Sequence, residues 1–266
     1  MSEPEAMRQA AGEAENATSQ DYLLGGRIRI LQPVSGYRAA LDPVFLAAAV
    51  AATPGQKVLD AGTGVGTAAL CLAARVAGLH VAGVERQRDL VRLAQHNVEI
   101  NDLGDRLDMM VADLKKPPVR LVGGTFDHVM ANPPFLESGR GNRPPDSGKA
   151  AATVEDEARL EDWLRFCLLM VRPKGSVTLV HRADRLDQVL VALHGRLGDI
   201  VVFPLWPGPA TATGPGERPA KRVIVSGRKG VATPLRLAPG LVLHAEGGAF
   251  TAAAEAVLRH GAGLTL

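Results

Sequence analysis

From residue 57 onward, apolar and polar positions fall into regular blocks. Short apolar runs occur at residues 57–61, 80–85, 107–112, 126–131, 176–181 and 200–205, each of strand length. Apolar residues at helical spacing separate the first three, at 67–77 and 89–101, and further helices are expected at 160–171 and 185–194. This strand–helix rhythm predicts an α/β fold, a mostly parallel sheet with helices on both faces. Residues 207–219, rich in Gly, Pro and Thr, separate the strand ending near Trp206 from the alternating segment 221–227. A strand, a loop without a helix and another strand predict a hairpin that closes the sheet antiparallel.

The lead-in reads differently. Residues 1–20 are polar and Ala/Glu-rich, with one basic residue against four acidic ones, and are expected to be a flexible tail. In segment 22–32, Arg27, Ile28, Arg29 and Ile30 alternate as a half-buried strand does. Asp42-Pro43 then opens the apolar run 44–52, with Asp as N-cap and Pro at the first helical position. Residues 21–266 are thus expected to form one domain with an N-terminal strand/helix extension and a C-terminal appendage. A polar, Gly/Pro-rich stretch at 136–153 interrupts the rhythm, and a loop of that length in a compact domain is usually functional or disordered.

Composition narrows the class. The chain is 46% hydrophobic and 22% charged, enough apolar content for a core, and its net charge of +2 is not that of a protein that coats nucleic acid. No apolar run reaches the roughly 18 residues needed to span a bilayer, so a soluble, cytoplasmic protein is expected. Cys71 and Cys167 sit in apolar runs without zinc spacing, and the seven histidines are scattered, so no metal site is expected. Ser176 and Ser226 lack a nucleophile-elbow pattern. Trp163 and Trp206 read as packing residues.

The sharpest signal is Val58-Leu59-Asp60-Ala61-Gly62-Thr63-Gly64-Val65-Gly66, an apolar strand ending in an acid, then three alternating glycines before a helix. Glycines at such a turn let the backbone approach a ligand closely. A dinucleotide fingerprint would need its third glycine one residue later, and Asp60 would repel a pyrophosphate. No Gly-Lys-Ser/Thr follows, which removes the P-loop. S-adenosylmethionine carries a sulfonium and an ammonium group, and a carboxylate beside the loop suits that charge. Glu85 ends the second strand, placed to accept both ribose hydroxyls, and Asp113, followed by Leu114, ends the third, placed for the adenine amino group.

The fourth strand runs straight into Asn132-Pro133-Pro134-Phe135. Two prolines rigidify the turn and remove two backbone donors. If the Asn132 side-chain oxygen and the Pro133 carbonyl each accept one N–H of an amine, they orient its lone pair and stabilise the charge that grows on nitrogen. Phe135 would stack on a planar group.

On these residues the chain resembles the class I, Rossmann-like methyltransferases, and within them the small-domain family that includes the bacterial tRNA1(Val) adenine-N6 methyltransferases. Further matches are Gln32-Pro33, Gly36-Tyr37-Arg38, Leu41-Asp42-Pro43, Pro204-Leu205-Trp206 and Ala220-Lys221-Arg222. The resemblance implies a seven-stranded sheet of order 3-2-1-4-5-7-6 with strand 7 antiparallel. It implies that Asp60, Gly62, Gly64, Gly66, Glu85, Asp113, Leu114, Asn132, Gly36, Tyr37 and Arg38 bind S-adenosylmethionine, and that Asp42 borders the site. Asn132, Pro133 and Phe135 would be catalytic, and Pro134, Phe135, Arg140, Arg143 and Lys149 would meet the substrate. Many members carry Tyr where this chain has Phe135. The expected substrate is tRNA, methylated at adenine N6. Guanine N2 of ribosomal RNA, a protein glutamine N5 and a cofactor-binding scaffold are the alternatives. About 55 residues precede the cofactor strand, short of the helical domain usual in the glutamine enzymes. Basic residues of the hairpin, Arg218, Lys221, Arg222, Arg228 and Lys229, are candidates for RNA phosphate contacts.

Overall fold

The computed structural model describes residues 17–34, 41–134, 136–137, 154–155, 158–208 and 219–266. β1 (Thr18–Leu23) and β2 (Ile28–Pro33) form an antiparallel hairpin around the short 3-10 turn Leu24–Gly26, where Gly25 and Gly26 take positive φ. The expected single strand at 22–32 is therefore two arms, and β1 begins at Thr18, within the expected tail. Ile28, Ile30 and Gln32 point inward, as the alternation predicts.

α1 (Leu41–Ala49) already includes Leu41, so Asp42 lies in the first turn instead of capping it. The Asp42 carboxylate accepts a hydrogen bond from Arg222 Nε at 2.8 Å. The helix ends at Ala49, three residues before the expected stop. Arg75 donates to the carbonyls of Ala47 and Val50 there, placing a cation at the negative end of the helix dipole.

The main chain then alternates β3 (Lys57–Ala61), α2 (Thr67–Arg75), β4 (His80–Glu85), α3 (Arg88–Glu99), β5 (Leu107–Val111) and β6 (Phe126–Ala131). Two-residue strands β7 (Leu136–Glu137) and β8 (Val154–Glu155) pair with each other. There follow α4 (Leu160–Met170), β9 (Val171–Arg182), α5 (Leu186–Leu193), β10 (Leu197–Trp206), β11 (Arg222–Lys229), β12 (Arg236–Leu237), β13 (Leu241–Val242) and α6 (Ala252–Leu258).

Among the described residues the sheet has nine strands, where seven were expected, and runs β12-β10-β11-β9-β6-β3-β4-β5, with β13 also on β10. The additions are β12 and β13, which lengthen the β10 edge. The seven long strands, numbered in chain order, lie 3-2-1-4-5-7-6. β11 is antiparallel to both β9 and β10, while β3, β4, β5, β6 and β9 are parallel. One core packs α1, α2, α3 and α6 on one face, and a second packs α4 and α5 on the other.

The two cysteines and His128 are structural. Burial pushes the thiols of Cys71 and Cys167 up to about 12, which keeps both protonated. His128 Nε2 donates to Gln56 Oε1 at 2.9 Å, an oxygen that also takes the Thr53 N–H, while its Nδ1 receives the Ser176 hydroxyl at 2.8 Å. Burial lowers the pKa of this imidazole. Among the described residues, no helix is long and apolar enough to cross a membrane.

Candidate active site

In a parallel sheet the carboxyl ends of the strands form a common rim, and ligands bind where the strand order reverses. Here that point lies between β3 and β6, which leave the central strand pair in opposite directions of connection. Asp60, at the end of β3, stands level with Gly83 on β4 and Met130 on β6, and Ala61 stands level with Ala131. Gly62 and Asn132 are the next residues after these paired strand ends.

The glycine turn is shaped from both sides. Gly62, Gly64 and Gly66 all have positive φ, at 70°, 56° and 88°. A Cβ on Gly62 would sit 2.2 Å from the Trp163 ring, so α4 presses an indole directly under the turn. A Cβ on Gly64 would meet no protein atom within 4 Å and would project into open space. The Thr63 hydroxyl donates to Asp60 at 2.7 Å, and the Thr63 N–H donates to the Val84 carbonyl. Glu85 accepts from the backbone N–H of Gln87 at 2.9 Å and of Gly64 at 3.3 Å, which ties the second strand end to the turn. Asp113 accepts the Lys115 N–H at 2.8 Å, and Leu114 packs half-buried on the α4–α5 core. Along the rim this gives Asp113, Glu85, Asp60 and Asn132 in spatial order, followed by Pro133, buried, and Pro134, half-buried.

Residues 41–143 match the family model described as methyltransferase small domain. The fold aligns with a predicted O-methyltransferase from Agrobacterium tumefaciens at TM-score 0.68 and 23% identity, over 84% of this chain and 98% of that one. Residues 41–143 thus carry a methyltransferase small domain, a module that uses S-adenosylmethionine, in a chain with the Rossmann-like fold of class I methyltransferases. Two curated relatives of the domain are similar in sequence. An rRNA N(6)-adenosine-methyltransferase, metl-5 of Caenorhabditis elegans, is 29% identical over 51% of this chain and 56% of its own length. A tRNA1(Val) (adenine(37)-N6)-methyltransferase of Porphyromonas gingivalis is 30% identical over 61% of this chain and 66% of its own. The chain therefore spans less than two thirds of the length of these relatives.

The residues of the methyltransferase domain fit its cationic cofactor. Asp60 is buried, and that burial first, with the neighbouring Glu85 charge adding to it, raises its pKa to about 7 against the pull of the Thr63 hydrogen bond. Burial also raises Glu85. Two desolvated carboxyls beside an open glycine turn suit a ligand that brings positive charge. A carboxyl whose folded pKa exceeds its unfolded value holds its proton better when folded, so the cofactor-free domain should lose stability as pH rises from about 4 to about 7. A cation selects the ionised form instead. S-adenosylmethionine should therefore bind more tightly as pH rises towards about 7, by up to about tenfold per unit, and level off above. Calorimetric titration between about pH 5.5 and 8 measures it, and an affinity independent of pH would contradict the assignment to Asp60.

Two asparagines, Asn97 on α3 and Asn101 just past its end, hold this frame. Asn97, fully buried, accepts the Leu31 N–H at 2.8 Å and donates both to the Leu31 carbonyl at 2.9 Å and to the Val65 carbonyl at 3.0 Å. One turn on, Asn101 brackets the Arg29 N–H and carbonyl in the same way. The two amides pair the outer edge of β2 as a strand would, and Asn97 also fixes the cofactor turn. Polar side chains in the last turn of a helix and just past it give no periodic signal, so only the geometry shows them.

Other expectations separate here. Gly36, Tyr37, Arg38, Phe135, Arg140, Arg143, Lys149 and Arg218 lie outside the described residues. The basic residues of the hairpin divide. Lys221 and Arg222 stand at the rim, level with Arg182 at the end of β9. Arg228 and Lys229 are at the opposite end of the sheet, where Lys229 Nζ donates to the carbonyls of Leu168 and Val171. Those two do not belong to the site.

Proposed function

We propose that this domain transfers a methyl group to the exocyclic amino nitrogen of a nucleic-acid base, with adenine N6 in tRNA as the first acceptor. The observation that carries the reading is the place of Asn132-Pro133-Pro134, which leaves the end of β6 beside Gly62 of the cofactor turn. The adenine-N6 activities printed for the two relatives support the base and atom chosen.

When bound, S-adenosylmethionine supplies an activated methyl group on a positively charged sulfur. The protein has to present a poor nucleophile, because the amino lone pair is delocalised into the ring. The Asn132 side-chain oxygen and the Pro133 carbonyl each take one N–H of the amine, which turns the lone pair towards the methyl donor. Both acceptors also stabilise the positive charge that develops on nitrogen. The methylated nitrogen is acidic and loses its proton afterwards, so no strong general base is needed. Phe135, next in sequence, is the residue to stack on the flipped base. Asp60, Glu85 and Asp113 hold the ammonium, ribose and adenine parts of the cofactor.

The acceptor class is tested by incubating the protein with labelled S-adenosylmethionine and, separately, tRNA, ribosomal RNA and a protein lysate. Label in RNA supports the proposal. Label confined to protein would overturn the acceptor while leaving the amine chemistry in place.

A further inference from the structure

The sheet ends at β5, and the rim beside that edge is basic. A cleft of about 550 Å³ runs between β5 and α3. Arg88 and Arg92 line it from α3, Arg120 lines it from the segment that leads to β6, and Asp108 is the one carboxylate in its lining. Arg86, Lys115 and Lys116 lie exposed in the same two segments, 86–92 and 115–120. These segments are far apart in sequence and come together only because β4 and β5 are neighbours.

Stability does not account for this gathering. Arg88 and Arg92 are four apart on one helix, an arrangement that repels. Arg92 reaches Asp89, an exposed pair that contributes little. Planar guanidinium groups do suit phosphate oxygens, which they grip with two parallel hydrogen bonds. The cations spread over two segments, so they match a run of phosphates better than a single small anion.

Position supports the same ligand. Val111, in the cleft wall, is level with Glu85 on the next strand, so the cleft opens beside the cofactor. Three strand spacings, roughly 14 Å, separate β5 from β6 and Asn132. A polynucleotide whose base enters at Asn132 has neighbouring phosphates within that reach.

We propose that the arginine cleft between β5 and α3 binds the phosphate backbone of the RNA substrate. This rests on the reading of the acceptor as a nucleic acid. The probe is a fluorescently labelled tRNA transcript, titrated with the full chain at several salt concentrations. The variant is Arg92→Glu combined with Arg120→Glu, and Arg165→Glu, an exposed reversal on α4, is the control. The double variant should bind tRNA at least about tenfold more weakly, with the slope of log affinity against log salt shallower by about 2. Its KM for tRNA should rise while kcat at saturating tRNA, S-adenosylmethionine affinity and melting temperature stay near wild type. Wild-type tRNA affinity and salt slope in the double variant, or an equal loss in the control, would overturn the cleft while leaving the acceptor assignment intact. Failure of the unmodified protein to bind or methylate tRNA would overturn both.

Discussion

Asn132→Ala is expected to lower methyl transfer by at least about 10²-fold, and closer to 10³-fold, while S-adenosylmethionine affinity stays within about twofold. The reason is where Asn132 stands. Although Asn132 was expected to touch the cofactor as well, the charged contacts are assigned to Asp60, Glu85 and Asp113, and Asp60 and Glu85 are held by Thr63, Gly64 and Gln87, not by Asn132. Loss of its amide removes an acceptor that matters most when charge develops on the amine. Asn132→Asp restores an oxygen at the same place and should recover part of the rate, whereas a merely structural role would give equal losses in both. Calorimetry for the cofactor and single-turnover transfer for the rate separate the two quantities. Full turnover in Asn132→Ala would refute the role.

The two glycines of the cofactor turn should fail in different ways when substituted. Gly62→Ala places a methyl group 2.2 Å from the Trp163 ring at a φ of 70°, so the loss falls on the fold. Overpacking and left-handed strain together cost about 2–4 kcal/mol, a fall of roughly 5–15 °C in melting temperature. The Cβ of Gly64→Val meets no protein atom within 4 Å, so the side chain projects into open space from a turn whose Gly64 N–H is held by Glu85. It carries about 1–3 kcal/mol of backbone strain, and its main effect should be the loss of cofactor binding, by more than about 100-fold. Thermal melts with and without S-adenosylmethionine distinguish them. Gly62→Ala should melt early yet still be stabilised by cofactor, and Gly64→Val should show no cofactor-dependent shift. A normal shift in Gly64→Val would place the cofactor elsewhere.

Much of this site could be read from the chain because each part leaves a local mark. An apolar run followed by Asp60 and alternating glycines marks a strand end and a close backbone approach. Glu85 and Asp113 are legible as acids at the next two strand ends. The seven long strands announce themselves by apolar or alternating runs, set apart by helical periods or by polar Gly/Pro-rich loops. β12 leaves no such mark, because Arg236 and Leu237 are both exposed and two residues cannot establish an alternation. β13 is as short.

Features that depend on long-range assembly were hidden. Asn97 and Asn101 act on β2, some 70 positions earlier, through side-chain amides. Arg88 and Arg120 share a cleft only once β4 and β5 pair. The hairpin shows the converse error. Lys221 and Lys229 are close in sequence, yet an eight-residue strand carries them to opposite ends of the sheet, roughly 25 Å apart. Sequence proximity overstated their kinship.

Nucleoside analysis of methylated tRNA decides whether adenine N6 is the acceptor. Unmodified tRNA is incubated with the full chain and labelled S-adenosylmethionine, digested to nucleosides, and resolved, with Asn132→Ala run in parallel. Label is expected in N6-methyladenosine with the wild-type chain and almost none with the variant. Label in N2-methylguanosine, or equal N6-methyladenosine from both proteins, would contradict it.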